Sequence, residues 1–245
     1  MKIPVVRGVI ERRILVNYRV DPEAMAHVLP SPFRPLTVRG YAIGGICLIR
    51  LTKIRPRFLP IPWGIRSENA AHRIAVEWDS AGETVQGVYI PRRDTDSRFN
   101  SWAGGRVFPG VHHHASFTVD EEANRFSVAL ASDDGQTQVR VRGRVASKFP
   151  ATSIFTSLSE VSKFFETGAL GYSPAHCEGC FDGLELCCRN WKVEPLDVED
   201  VASSFFEDLL RFPDSTAEFD CALLMRGIEH EWHSRADITC PVNPH

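Results

Sequence analysis

At 245 residues, 43% of them hydrophobic, the chain is long enough to bury a sizeable core as one large domain or two small ones. A formal charge of -3 and a pI near 6.3 provide no electrostatic case for nucleic acid or an anionic membrane as partner. No apolar run reaches the roughly 18 residues that span a bilayer, and the N-terminal Met-Lys-Ile-Pro-Val-Val-Arg lacks a signal-peptide core, so the expected setting is soluble and cytoplasmic, with the seven cysteines reduced.

Residues 12–20 alternate as a strand, and Asp21-Pro22-Glu23 then supplies an N-cap, a first-turn proline and a first-turn acid for a short helix through Leu29. Pro30, Pro32 and Pro35 stop it. Residues 36–54 read as one or two strands, in which Gly40 and the Gly44-Gly45 pair mark a bulge or close backbone approach. Pro56, Pro60 and Pro62 make 55–66 a loop. Residues 70–78 and 84–90 alternate around a turn at 79–83, as a hairpin does, and Asp94 or Thr95 is the candidate cap of a short helix to Ala103.

Strands are expected at 115–119, 125–131 and 136–145, the last with Arg140, Arg142 and Arg144 on one wet face. Ser157-Leu-Ser-Glu160 is a capping box for a helix whose apolar stripe is Leu158, Val161, Phe164 and Phe165 and whose stop is Gly168. Asp197 is expected to cap a further helix that turns Val201, Phe205, Phe206 and Leu209 inward before Pro213. Residues 184–193 and 218–231 are strand-like. About ten strands and four helices in this order favour an α+β fold, mainly antiparallel β, over a doubly wound parallel one. No repeat, low-complexity tract or linker divides the chain, so residues 1–245 are read as one domain.

The most unusual stretch is 102–117, which sets two glycines, Arg106, a proline and three consecutive histidines, His112 to His114, ahead of an apolar strand. Histidine titrates nearest neutrality and is the commonest metal ligand. In an extended chain His112 and His114 share one face and His113 takes the other. Gly105-Arg106 followed by this run resembles the segment of the acetoacetate decarboxylase-like superfamily in which Gly-Arg precedes Pro-Lys-Lys, the first lysine being the Schiff-base nucleophile. Asn17-Tyr-Arg-Val-Asp-Pro-Glu-Ala-Met25 with Leu29-Pro30 resembles a second segment of that superfamily, its helix entry and exit. The chain as a whole, including Phe-Phe-Glu-Thr-Gly-Ala-Leu-Gly-Tyr172 and Asp220 to His230, is similar to a bacterial family of unknown function grouped with it.

The resemblance implies a bent sheet or incomplete barrel with outer helices, and puts His113 and His114 where the lysines would be. An imidazole cannot condense with a ketone to an iminium. Only five lysines are present (Lys2, Lys53, Lys148, Lys163, Lys192), which also argues against that chemistry. The expectation is a small-molecule protein, with an enzyme acting on an organic acid or carbonyl compound by histidine-centred acid–base chemistry as the leading form, and with no cofactor and no metal. His113, His114 and Arg106 are the candidate catalytic residues, with Arg106 and Glu77 as candidate substrate-binding residues. His113 is expected to face the cavity, since the resemblance carries Gly105 and Arg106 in the same register. A ligand-binding module without turnover, and a metalloprotein using the 112–114 histidines, are the competing classes, and a homo-oligomer is left open. Cys177-Glu-Gly-Cys180, preceded by His176, has metal-ligand spacing without the second pair of a zinc ribbon. His230 and His233, three apart on a strand, would not meet. No phosphate loop, dinucleotide fingerprint, Gly-x-Ser-x-Gly elbow or His-Glu-x-x-His is present.

Overall fold

The computed structural model describes residues 4–58, 64–106 and 108–240. In chain order these form β1 (Val6–Val20), α1 (Pro22–His27), β2 (Arg34–Pro35), β3 (Thr37–Val38), β4 (Tyr41–Pro56), β5 (Ile65–Ser80), β6 (Glu83–Thr95), α2 (Arg98–Ala103), β7 (His113–Glu122) and β8 (Arg125–Ser132). There follow β9 (Gln138–Val145), α3 (Leu158–Thr167), β10 (Leu170–Pro174), β11 (Cys180–Cys188), β12 (Glu194–Ser203) and β13 (Ala217–Thr239).

All the strands belong to one mixed sheet, antiparallel except where β6 runs parallel to β10 and to β7. Its pairings return on themselves: β13, β1, β4, β5, β6, β10 and β11 follow one another, and β11 pairs back on β13. A second path, β7, β8, β9 and β12, also links β6 to β13. The sheet is thus ring-like, mainly antiparallel and sparing in helix.

Strand β1 is buried on both faces. Its even-numbered residues Ile14, Val16, Tyr18 and Val20 join a core with Val128, Val141 and Phe206, while Leu15 joins a second core with Cys47, Ile49 and Phe165 of α3. Full burial of Ile14 and of Leu15 contributes roughly 1.5–3 kcal/mol each, so both faces of β1 hold the ring together. Helices α1 and α3 start at the expected caps: Asp21 accepts from the amides of Glu23 and Ala24, and Ser157 from that of Glu160. The hairpin between β5 and β6 turns on Ala81 and Gly82, both at positive φ.

Four local expectations differ. The helix expected after Asp197 is strand β12 through Ser203, because Asp197 and Asp200 answer the exposed arginines of β9: Arg140 Nε donates to Asp200 at 2.5 Å and Arg144 to Asp197 at 3.3 Å. Asp94 and Thr95 end β6 instead of capping α2, whose cap is Ser97. In the expected loop 55–66, Arg55 and Pro56 belong to β4 and Ile65 to β5, while 59–63 lie outside the described residues. Cys177 and Cys180 are joined in a disulfide rather than reduced, across a turn that Gly179 allows through its positive φ. Among the described residues no helix is long and apolar enough to cross a membrane.

Candidate functional site

Four adjacent strands, β1, β4, β5 and β6, present one face to a cavity of about 320 Å³. Residues opposite one another in a ladder point the same way. The pairs Arg13 with Ile49, Cys47 with Ala71, Gly45 with Arg73, and Ala71 with Arg93 therefore bring Arg13, Cys47, Arg73 and Arg93 onto that face. Small residues at Gly45 and Ala71 leave room for the guanidinium groups. Apolar side chains close the space, among them Phe165, Leu184, Trp191 and Trp232. A second lobe of about 310 Å³ shares Ile49, Ala71, Arg93, Leu184 and Trp232 with the first and extends to Asn69, Phe108 and His112.

The three arginines are unusual in their partners. Arg13 Nε donates to Cys47 Sγ at 3.0 Å, Arg93 Nε donates to Ser173 Oγ at 2.9 Å, and Arg73 donates to Asn17 Oδ1 and lies 4.3 Å from the centre of the Phe165 ring. Arg73 is more than nine-tenths buried, and its Nε has no hydrogen-bond partner. Among the described residues no carboxylate forms an ion pair with any of the three, although Asp182 is near enough to Arg93 to favour its charge. Burial pulls both Arg73 and Arg93 down to about 10, which still leaves each protonated at neutral pH. Enclosed charges without counterions cost several kcal/mol, and an anion entering the cavity would offset that cost.

His112 lies at the far lobe. Its Nδ1 is 2.9 Å from the carbonyl of Gly110, which can only accept, so Nδ1 carries the hydrogen and Nε2 keeps its lone pair. Burial, reinforced by the nearby Arg93 charge, pushes His112 down to about 3, so the ring is neutral over the physiological range. The ring lies against Gly104, where even a methyl group would come within 2.5 Å of Nδ1.

The structure separates the residues singled out from the sequence. The inward histidine is His112 and not His113: β7 begins at His113, whose side chain is 38% exposed with Nδ1 3.2 Å from Asp134. His114 Nδ1 is 2.8 Å from Asp133. Acids of the turn after β8 hold these two rings. His114 and the exposed Arg106, which donates to the carbonyl of Trp102 at 2.7 Å, do meet in an outer groove with His112 and His176. His112 thus separates groove from cavity. Glu77 sits elsewhere, on β5 beside β2, 3.6 Å from Arg34. Among the described residues no group of three or more His, Cys, Asp or Glu side chains is placed to hold a metal. His230 and His233 both lie on β13, His230 buried and His233 3.1 Å from Glu231.

Sequence reasoning passed over Arg13, Arg73 and Arg93. Their signal was available as a charge within a strand whose neighbours of the same phase are apolar: Leu15 after Arg13, Ala71 before Arg73.

Comparison with known proteins places this geometry in context. The model of the DUF2071 family, described as an uncharacterized conserved protein, matches residues 9–208. A search of the curated proteins finds no match. Among solved structures the chain is similar to acetoacetate decarboxylase from Legionella pneumophila, with a TM-score of 0.62 and 10% identity over 95% of this chain and 87% of that one. It is similar also to an acetoacetate decarboxylase-like enzyme from Sphingomonas wittichii RW1, with a TM-score of 0.58 and 13% identity over 97% and 92% of the two chains. A third is the enduracididine biosynthesis enzyme MppR complexed with pyruvate, with a TM-score of 0.57 and 13% identity over 98% and 91%. The fold is acetoacetate decarboxylase-like.

Proposed function

This chain belongs to the DUF2071 family, and we propose that it is a small-molecule protein whose cavity holds an organic anion on Arg13, Arg73 and Arg93. The observation that carries this reading is the set of three cavity-facing guanidinium groups without a carboxylate ion pair among the described residues. Guanidinium groups match a carboxylate through paired N–H donors, and the apolar walls exclude the water that would otherwise compete. MppR was complexed with pyruvate, and a small oxo acid of that kind is the probe we choose here.

We assign the acid–base role to His112. Its neutral Nε2 is an acceptor, weakly basic while Arg93 is unopposed. A bound anion offsets that positive charge and raises the basicity of the imidazole when substrate is in place. In this reading Arg106 and His114 act at the outer groove, and His113 fixes Asp134. The chemistry proceeds without a Schiff base: Lys53, Lys148, Lys163 and Lys192 are exposed and none lines the cavity, while Lys2 lies outside the described residues. We read residues 1–245 as one domain, supported by the single sheet.

The test is a thermal shift series. Pyruvate and similar carboxylates should raise the melting temperature in a saturable way, and uncharged pyruvamide should not; equal shifts, or none, would overturn the anion-binding reading. A binding module without turnover shows the same shifts with no change in the ligand by NMR.

A further inference from the structure

Cys47 lies among the same arginines. In the β1–β4–β5 ladder it sits opposite Leu15 and Ala71, so Arg13 and Arg73 flank it diagonally on its two sides, and Arg93 lies opposite Ala71 on the next strand. Arg13 Nε donates to its sulfur at 3.0 Å, so Sγ turns a lone pair, not its hydrogen, towards that guanidinium. The Cys47 side chain is 5% exposed, and what it faces is the cavity. A structural cysteine sits in apolar surroundings; reactive ones sit in electropositive pockets that a small molecule can reach. The nine-tenths-buried Arg73, with its charge uncompensated and its Nε unpaired, marks the same place as one that awaits an anion.

We propose that Cys47 is a nucleophile that adds reversibly to the carbonyl carbon of an oxo acid held by Arg13, Arg73 and Arg93, an inference that rests on the anion-binding reading above. The S–C bond forms at the carbonyl carbon as the C=O π pair moves to oxygen. That oxygen takes up the proton the thiol gives up, so the adduct is a thiohemiketal and nothing is oxidised or reduced. The carboxylate stays on the guanidinium groups, and the carbonyl carbon next to it is delivered to the sulfur.

Charge-selective alkylation tests this in the native protein, with half-buried Cys240, which lines neither lobe of the cavity, as the comparison thiol in the same chain. Peptide mapping by mass spectrometry should find Cys47 labelled by iodoacetate at least about tenfold faster than Cys240, with the preference lost for neutral iodoacetamide, because the arginines recruit the anionic reagent. Pyruvate should protect Cys47 and not Cys240. Labelling of Cys240 first, with Cys47 inert until the protein unfolds, would overturn the inference. Calorimetry on Cys47→Ser distinguishes the two readings. If this variant binds pyruvate and wild-type Cys47 is inert, the anion site stands and the thiol inference fails. If both reagents label Cys47 equally and pyruvate neither binds nor protects, the anion site itself is refuted and the inference goes with it.

Discussion

Arg12 and Arg13 are neighbours on β1 and occupy opposite electrostatic settings: Arg12 meets Glu68 at 2.5 Å and Glu121 at 2.7 Å, whereas Arg13 meets the sulfur of Cys47 at 3.0 Å. The split recurs on β6, where Arg92 meets Asp94 and Asp134, each at 2.8 Å, and Arg93 turns to the cavity. Alternation along a strand sends one member of each pair to either face. One face is electrically closed, and the other carries guanidinium groups without a carboxylate ion pair among the described residues.

Substitutions on the two faces should therefore have opposite consequences. Glu68→Gln removes one of the two carboxylates that meet the buried Arg12, leaving Glu121, and should cost about 1–3 kcal/mol in denaturant unfolding. Arg13→Met removes a charge with no carboxylate partner and should leave stability unchanged or higher. Equal losses from the two would show that Arg13 serves the fold rather than a ligand.

Two buried histidines should make the protein acid-sensitive. Neither ring nitrogen of His72 has a hydrogen-bond partner; burial is the main cause that pulls His72 down to about 3 and His230 to about 4, with the nearby arginine charges adding to it. Both groups bind protons more weakly folded than unfolded, so stability falls as pH drops below the unfolded value near 6.5 and goes on falling towards 3–4. Each should cost about 1.4 kcal/mol per pH unit within that window. His72 packs against Phe205 with ring centres 4.8 Å apart, and His72→Phe should flatten the acid limb of a stability-against-pH curve. An unchanged slope would show that other groups set it.

Gly104 is the floor of the His112 site. A methyl group there would lie 2.5 Å from Nδ1, so Gly104→Ala must push the ring away from the carbonyl of Gly110. Overpacking of this kind costs roughly 1–3 kcal/mol. The expected readout is a shifted His112 imidazole resonance together with weakened pyruvate binding. Binding and resonance both at wild-type values would contradict the placement of His112.

Much of the fold was legible because its signals are local. Asp21 and Ser157 cap where capping chemistry says they should, and the 79–83 turn joins the strands on either side. Residues 197–203 were misread because Asp197 is equally suited to a helix cap and to an ion pair, and only the position of Arg144 on the neighbouring strand decides between them. The histidine run singled out residues 112–114 with His113 inward, and the ring that faces the cavity is His112. Which imidazole turns inward depends on where β7 begins, and β7 begins at His113 under the control of the parallel pairing of His113 with Asp94. The arginine cavity is a product of register across four strands, which no single strand reveals.

Calorimetric titration of pyruvate into the wild-type protein and into Arg13→Met decides whether the arginine cavity holds an anion. The wild type should bind one pyruvate per chain with an affinity that falls as salt rises, and Arg13→Met should lose binding while still melting at or above the wild-type temperature. Binding that is the same in both proteins and indifferent to salt would contradict the anion-binding reading.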